Sequence, residues 1–238
     1  MQIISNKKKY VNKVFNTVNN RYDIMNDLMS FGLHRVWKDL MVEWLNPKSG
    51  KNYIDVAGGT GDVAYRIYQK TKSMKNLMIC DPNERMIEEC FLKFNKKKIQ
   101  NKDINYICAD SDTLPFENNT FDGYTVAFGL RNFSDIGDSL KETFRILKPG
   151  GRFMCLEFFK TDTKKIDKLY KMYSNNIIPQ LGEVIVGDRE PYEYLVKSIK
   201  NFSSQDEVLN IMEKIGFKFS KFRSLFMGVV SIHTGWKI

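Results

Sequence analysis

The sequence is poor in the residues that build covalent or metal frameworks. Its four cysteines, Cys80, Cys90, Cys108 and Cys155, are scattered with no C-x-x-C pair. Neither a disulfide scaffold nor a thiolate zinc site is suggested, and a reducing compartment fits best. Two histidines, His34 and His233, are too few for an imidazole cluster, so no metal is expected. No run approaches the roughly 20 apolar residues that cross a bilayer. Met1 to Ser5 carries no apolar core of the signal-peptide kind.

What is present is a chain of 238 residues, 42% of them hydrophobic. That is too apolar for disorder and long enough for one sizeable core, so residues 1–238 are expected to form one domain with elaborations. Lysine and arginine number 37 against 28 acidic residues, a net charge of +9, which raises nucleic acid or an anionic membrane surface as a partner. The basic runs Lys7 to Lys9 and Lys96 to Lys98 lie in an N-terminal tail and beside Asn and Gln, where solvated charge is the plainer reading.

Val11, Phe15, Val18, Tyr22, Met25 and Met29 recur at steps of three and four, one stripe of a helix. Val36 to Leu45 predicts a second amphipathic helix ended by Asn46 and Pro47. Together, residues 11–45 make an N-terminal helical cap. Tyr53 to Ala57 reads as a buried strand, followed by a glycine turn and a helix from Asp62, the first unit of a Rossmann-like sheet. "NLMICD", "INYICAD", "FDGYTVAF" and "GRFMCLEF" continue the alternation, predicting a mostly parallel sheet with helices on both faces. A Pro-Gly-Gly turn should feed the fifth strand. Ser204 and Glu207 form a capping box, and Gly216 closes that helix. Two further strands, Phe217 to Arg223 and Gly228 to Trp236, should pair antiparallel at an edge, for seven in all. Residues 160–201 are too long for a simple crossover and are a candidate lid, with Tyr170, Tyr173, Ile177, Ile178 and Tyr194 as apolar content.

The glycine loop admits two readings. "GTGDVA" fits the G-x-G-x-x-A dinucleotide form, with Asp81 placed to bind a ribose. Alternatively, Gly58, Gly59, Thr60 and Gly61 approach an adenosyl ligand without a pyrophosphate. Here Asp81 takes the ribose hydroxyls, while Asp110, with Ser111 beside it, accepts the adenine amine. The series of glycine loop, ribose acid, adenine acid and "RILKPGG" turn resembles the class I S-adenosylmethionine methyltransferases. Longer motifs narrow the resemblance. "VFNTVNNRYDIMNDLMSFGLHRVWKDL", "FGLRN" and "RILKPGGRFMCLEF" are similar to the signatures of the ubiquinone and menaquinone biosynthesis C-methyltransferases. "QLGEVIVGD", "YLVKSI" and "GVVSIHTGWKI" resemble the mitochondrial branch of that family.

The resemblance implies S-adenosylmethionine as cofactor, bound at Thr60, Asp81, Asp110, Ser111 and Ala127, the last often Ser in bacterial members. It implies methylation of a ring carbon of a 2-methoxy-6-polyprenyl-1,4-benzoquinol. Arg131 would stabilise a phenolate, since a guanidinium is a poor base, and Glu157 would be a second acid or base. Tyr22, Asn26, His34, Arg35 and Asn132 would face the substrate, while Trp37 and Tyr22 also read as core aromatics. The implied setting is a homodimer or a quinone-biosynthesis assembly, peripheral to the matrix face of the mitochondrial inner membrane, or cytoplasmic in a bacterium. Two alternatives are a nucleic-acid methyltransferase and a non-catalytic scaffold of the same fold. Against the first, "AFGLRN" stands where amino-methylating enzymes carry an N/D-P-P-Y loop. Failure to bind S-adenosylmethionine would favour the second.

Overall fold

The computed structural model describes residues 26–27, 30, 32–71, 75–99, 102–160 and 190–238. The stripe from Val11 to Met29, Tyr22 included, and the stretch 161–189 of the expected lid lie outside the described residues. The elements in order are α1 (His34–Leu45), β1 (Asn52–Val56), α2 (Asp62–Thr71), β2 (Asn76–Asp81), α3 (Glu84–Lys96), β3 (Ile104–Cys108), β4 (Phe121–Ala127), α4 (Ile136–Ile146), β5 (Leu147–Phe158), α5 (Glu190–Lys200), α6 (Gln205–Ile215), β6 (Lys218–Leu225) and β7 (Val230–Trp236).

The strands form one seven-stranded sheet in the order β3-β2-β1-β4-β5-β7-β6. β1 pairs in parallel with β2 and β4, β2 with β3, and β4 with β5. β7 runs antiparallel to both β5 and β6. The antiparallel strand is thus one place in from the edge, with β6 outermost, because a short connection lets β7 return between β5 and its own predecessor.

Period-two alternation divides β5 between two cores. Met154, Leu156 and Phe158 join Trp37, Met41, Ile67, Phe94 and Leu195 on one face. Phe153 and Cys155 join Leu140, Val208, Met212 and Phe217 on the other. Every one of these side chains is buried, as the two covered faces of a parallel sheet require. The helix starts and stops follow local chemistry. Asn46 ends α1 in a left-handed conformation at φ 49°, Asn83 and Asp135 cap α3 and α4, and the Ser204–Glu207 box opens α6 before Gly216 at φ 117°.

The expected Pro-Gly-Gly turn before the fifth strand is different here. Leu147 already pairs with Phe121, and the residues up to Gly151 bulge out between that pair and Gly123–Arg152. The strand keeps hold of the bulge because Gly150 N–H donates to Lys237 O and Lys237 N–H to Gly151 O. Glycine supplies the φ of 81° at Gly150, so turn chemistry is accommodated inside a strand.

Candidate active site

Strand order reverses between β1 and β4, since β1 leads to β2 on one side and β4 leads to β5 on the other. That is the switch point at which doubly wound sheets open a crevice beyond their strand ends. A cleft of about 300 Å³, counting space open to solvent, lies there, lined by Lys38, Asp55, Ala57, Gly58, Thr60, Asp62, Val63 and Ala127.

The loop after β1 is held from below. Gly58 N–H donates to Cys80 O at 3.1 Å and Gly61 N–H to Gly58 O at 2.9 Å, while Gly59 N–H donates to Asp81 Oδ2 at 2.9 Å. Gly61 sits at φ 77°, and a Cβ there would stand 2.4 Å from Cys90 Sγ and 2.7 Å from Phe94. This glycine lets the loop pack onto α3. Opposite, the turn after β4 comes so close that a Cβ on Gly129 would meet the Ala57 Cβ at 2.5 Å. Ala57 and Phe128, at φ 53° and 58°, are both left-handed without being glycine, and such strain concentrates at functional sites.

Asp81 is buried, and its Oδ1 accepts from Asn83 N–H at 2.9 Å. Burial raises its carboxyl to about 6, with the Asn83 and Gly59 N–H groups pulling it back down. Asp110 is half-buried beside the β3 end, within electrostatic reach of Cys108, as Asp81 is. The Ser111 hydroxyl is buried and shares a 3.0 Å hydrogen bond with Ser139 of α4, so it turns into the core side. Thr60 Oγ1 accepts from Lys93 at 3.3 Å.

The turn after β4 holds a second charged group. Arg131 is buried against Glu157, Nη1 to Oε1 at 2.6 Å, both side chains almost wholly out of solvent. The same guanidinium donates to Phe128 O and to Ser198 Oγ, and Arg131 N–H donates to Glu157 Oε2 at 3.2 Å. Asn132 Oδ1 accepts from Tyr194 OH at 2.9 Å, which ties the turn to α5. The described end of the expected lid is therefore a packed helix, with Tyr192, Leu195 and Ile199 buried.

Asn26, His34 and Arg35 gather around Asp27. His34 Nε2 donates to Asp27 Oδ1 at 2.9 Å, and the exposed Arg35 forks onto both oxygens. Burial lowers the His34 pKa, which favours the neutral imidazole. Asn26 is buried, and its Nδ2 has no hydrogen-bond partner among the described residues. Trp37 packs edge-on to Phe158, a core aromatic.

Three residues of the cleft escaped sequence reasoning. Lys38 is buried, its Nζ donating to Asp62 Oδ2 at 2.9 Å. Asp62 also pairs with Arg66, and Arg66 reaches Asp39 at 2.7 Å. Asp55, next to last in β1, accepts from Thr125 Oγ1 at 2.7 Å through Oδ1, while its buried Oδ2 has no partner of hydrogen-bond geometry among the described residues. Burial pushes its carboxyl up to about 7, against Thr125, Lys38 and the Ala64 N–H. Against the opposing effect of burial, Lys38, with Arg66 assisting, holds Asp62 well below the ordinary carboxylate range. A signal existed: Lys38 falls four residues before Val42 on the buried stripe of α1, and Asp55 is a charge inside an apolar strand.

A cleft lined by two carboxylates and one ammonium suits a cationic ligand with an amino-acid end, and an unpartnered buried acceptor awaits a donor. It does not suit a pyrophosphate, which calls for a surplus of donors. The fold and this donor set define an S-adenosylmethionine-dependent methyltransferase. In structure the chain resembles a SAM-dependent methyltransferase from Thermotoga maritima, with a TM-score of 0.66 at 19% identity, covering 95% of this chain and 99% of that one. It also resembles a Haemonchus contortus phosphoethanolamine N-methyltransferase solved with S-adenosyl-L-methionine, at TM-score 0.63 and 13% identity, covering 84% and 52%. In sequence, residues 2–237 match the ubiE/COQ5 methyltransferase family. The ubiquinone/menaquinone biosynthesis C-methyltransferase of Ruegeria sp. (strain TM1040) is 43% identical over 228 residues, 96% of this chain and 90% of that protein. The chain belongs to the ubiE/COQ5 methyltransferase family, and it is a C-methyltransferase that uses S-adenosylmethionine.

Proposed function

We propose that this chain methylates a ring carbon of a polyprenylated methoxybenzoquinol in ubiquinone biosynthesis. The observation that carries the reading is the anionic cleft at the switch point, lined on the β4 side by Ala127, immediately before the "FGLRN" turn. Gly58, Gly59 and Thr60 would lie against the cofactor, with Asp81 and Asp110 at its adenosyl end and Asp55 at its amino-acid end. When bound, S-adenosylmethionine supplies an electrophilic methyl group and leaves as a neutral thioether.

The protein's own part is to align an electron-rich ring carbon and to keep water out. A ring carbon becomes nucleophilic when a neighbouring hydroxyl loses its proton. Arg131 is committed to Glu157, Phe128 O and Ser198, so in this reading the Arg131–Glu157 pair positions the Phe128 to Asn132 turn. Water or another carboxylate takes the proton. Asn132, held by Tyr194, would face the ring, and Tyr22, Asn26, His34 and Arg35 would close the substrate side.

The prenyl tail would bring the protein to a membrane surface, as a homodimer or within a quinone-biosynthesis assembly. In a mitochondrion that surface would be the matrix face of the inner membrane. The net charge of +9 supports contact with anionic lipid, and among the described residues no helix is long and apolar enough to cross a bilayer. Co-sedimentation with anionic vesicles tests the contact, and size-exclusion chromatography with light scattering tests the dimer.

Purified protein should transfer a methyl group from S-adenosylmethionine to a short-chain methoxybenzoquinol. Binding of the cofactor without transfer to any such quinol would sink the substrate assignment. Arg131→Lys separates the two roles of the arginine: a positioning role lowers kcat with the pH profile unmoved, whereas a phenolate-stabilising role shifts the profile to higher pH.

A further inference from the structure

An ammonium is seldom kept inside a core unless a partner demands it. Lys38 has only 5% of its side chain exposed and donates to Asp62, yet Asp62 is already answered by Arg66 from its own helix. Neutralising Asp62 therefore does not explain Lys38. The ammonium has three N–H groups, of which Asp62 takes one, and the Phe128 ring lies 5.9 Å away. Lys38, Asp55 and Asp62 line one cleft with Gly58 and Thr60. Two opposite charges thus face the same space: an ammonium with donors to spare, and a buried Asp55 carboxylate oxygen with no partner of hydrogen-bond geometry among the described residues.

That pattern is complementary to a zwitterionic amino acid, with a carboxylate toward the ammonium and an amine toward the acid. We propose that Lys38 receives the α-carboxylate at the amino-acid end of the cofactor, with Asp62 as the anchor that keeps Lys38 aimed into the cleft. This rests on the cofactor occupying the cleft as given under Proposed function. Asp62 is well suited to anchor, because Arg66 and, through it, Asp39 of α1 lock the α1–α2 junction on its far side. Lys38 is then a residue that selects for a ligand bearing a carboxylate, not merely an adenosyl group.

The test is calorimetric and needs no turnover. The wild-type protein is titrated with S-adenosylmethionine and with its decarboxylated analogue, which keeps the amine and loses only the carboxylate. A charge-assisted hydrogen bond in a secluded site predicts that the analogue binds about ten- to a hundredfold more weakly. Equal affinity overturns the proposal, and this arm depends on no variant folding. The second arm compares S-adenosylhomocysteine with 5′-methylthioadenosine, which lacks the amino-acid end, in wild type and in Lys38→Met. The variant should lose affinity for the first and keep it for the second. If it binds both as wild type does, or loses both equally, Lys38 does not read the carboxylate. Should wild type bind none of the four ligands, the cofactor site itself is misplaced, and the proposal falls with it.

Discussion

Lys38–Asp62 and Arg131–Glu157 both pair a buried cation with a carboxylate, half-buried in the first and fully buried in the second, but they are finished to different degrees. Around Arg131 the fork is taken up by Glu157, the Phe128 carbonyl and Ser198, and both Glu157 oxygens accept, Oε1 also from the Phe158 N–H. Around Lys38 the cleft is left incomplete, with ammonium protons beyond the one given to Asp62 and an Asp55 oxygen that no donor among the described residues meets with hydrogen-bond geometry. A closed network rigidifies a turn, and an open one waits for a ligand. The difference teaches which of two buried charge pairs to suspect of binding: the one that is still unsatisfied.

Breaking the closed pair should have the largest effect. Arg131→Met leaves Glu157 buried without its counter-charge, held only by the Arg131 and Phe158 backbone N–H groups, at a cost of about 3–5 kcal/mol in stability by denaturant unfolding. Replacing Glu157 with Leu in the same chain should recover much of that, since an apolar pair of similar size is tolerated there. If the single variant melts like wild type, the pair is not what holds the turn.

The open network should show itself through pH. Asp55 titrates near 7 in the folded protein and near 3.9 when unfolded. The native state therefore binds the extra proton between those values. Its contribution to stability is complete below about 4 and is lost as pH rises through 7, roughly 4 kcal/mol at most by linkage. Asp55→Asn removes that slope, so the variant should gain on wild type from pH 4 to pH 7 and hold its lead at pH 8. Asp81, also raised, and the depressed His34 and His233 titrate in both proteins and cancel in the difference. A pH-independent gap between the two proteins would show that Asp55 is ionised throughout.

Gly129 stands where the two networks meet. A methyl at that position would press on Ala57 of the cleft while pushing the turn that carries Arg131. Gly129→Ala should cost about 1–3 kcal/mol as overpacking and should weaken cofactor binding as well. Loss of stability without loss of binding would mean that the turn yields and the cleft does not.

Much of this was legible in the sequence because it is local. β2 spans the residues "NLMICD" named from their apolar run, and the capping box and Gly216 follow from chemistry within a few residues. The glycine loop and the Asp81 that grips it through Gly59 were both named as site residues, as were Arg131 and Glu157. That the last two are partners was not visible, because only the parallel register of β4 on β5 brings residues 26 apart together. The place of β7 between β5 and β6 was hidden for the same reason. Lys38 and Asp55 were missed although each broke a pattern: a charge on the buried stripe of a helix and a charge in a covered strand; Asp62, an acid in a first turn, fits the rule for helix starts and gave no such signal. Reading for motifs passes over such violations, and reading for inconsistency finds them.

The smallest effect supplies the control. Ser204→Ala removes one half of the α6 capping box, in which Ser204 Oγ accepts from the Glu207 N–H and Glu207 accepts from the Ser204 N–H, at a cost of about 1 kcal/mol. None of these atoms touches either charged network, so its effect should add to that of Arg131→Met within about 0.5 kcal/mol. Asp55→Asn and Lys38→Met, by contrast, share one cleft and the field between them, so their effects on stability should be non-additive. Removing the ammonium alone leaves Asp55 and Asp62 facing each other less well compensated, and removing Asp55 first relieves that. Additivity in the second pair as clean as in the first would mean that Lys38 and Asp55 do not act on one another, and the cleft would be two separate features and not one open network.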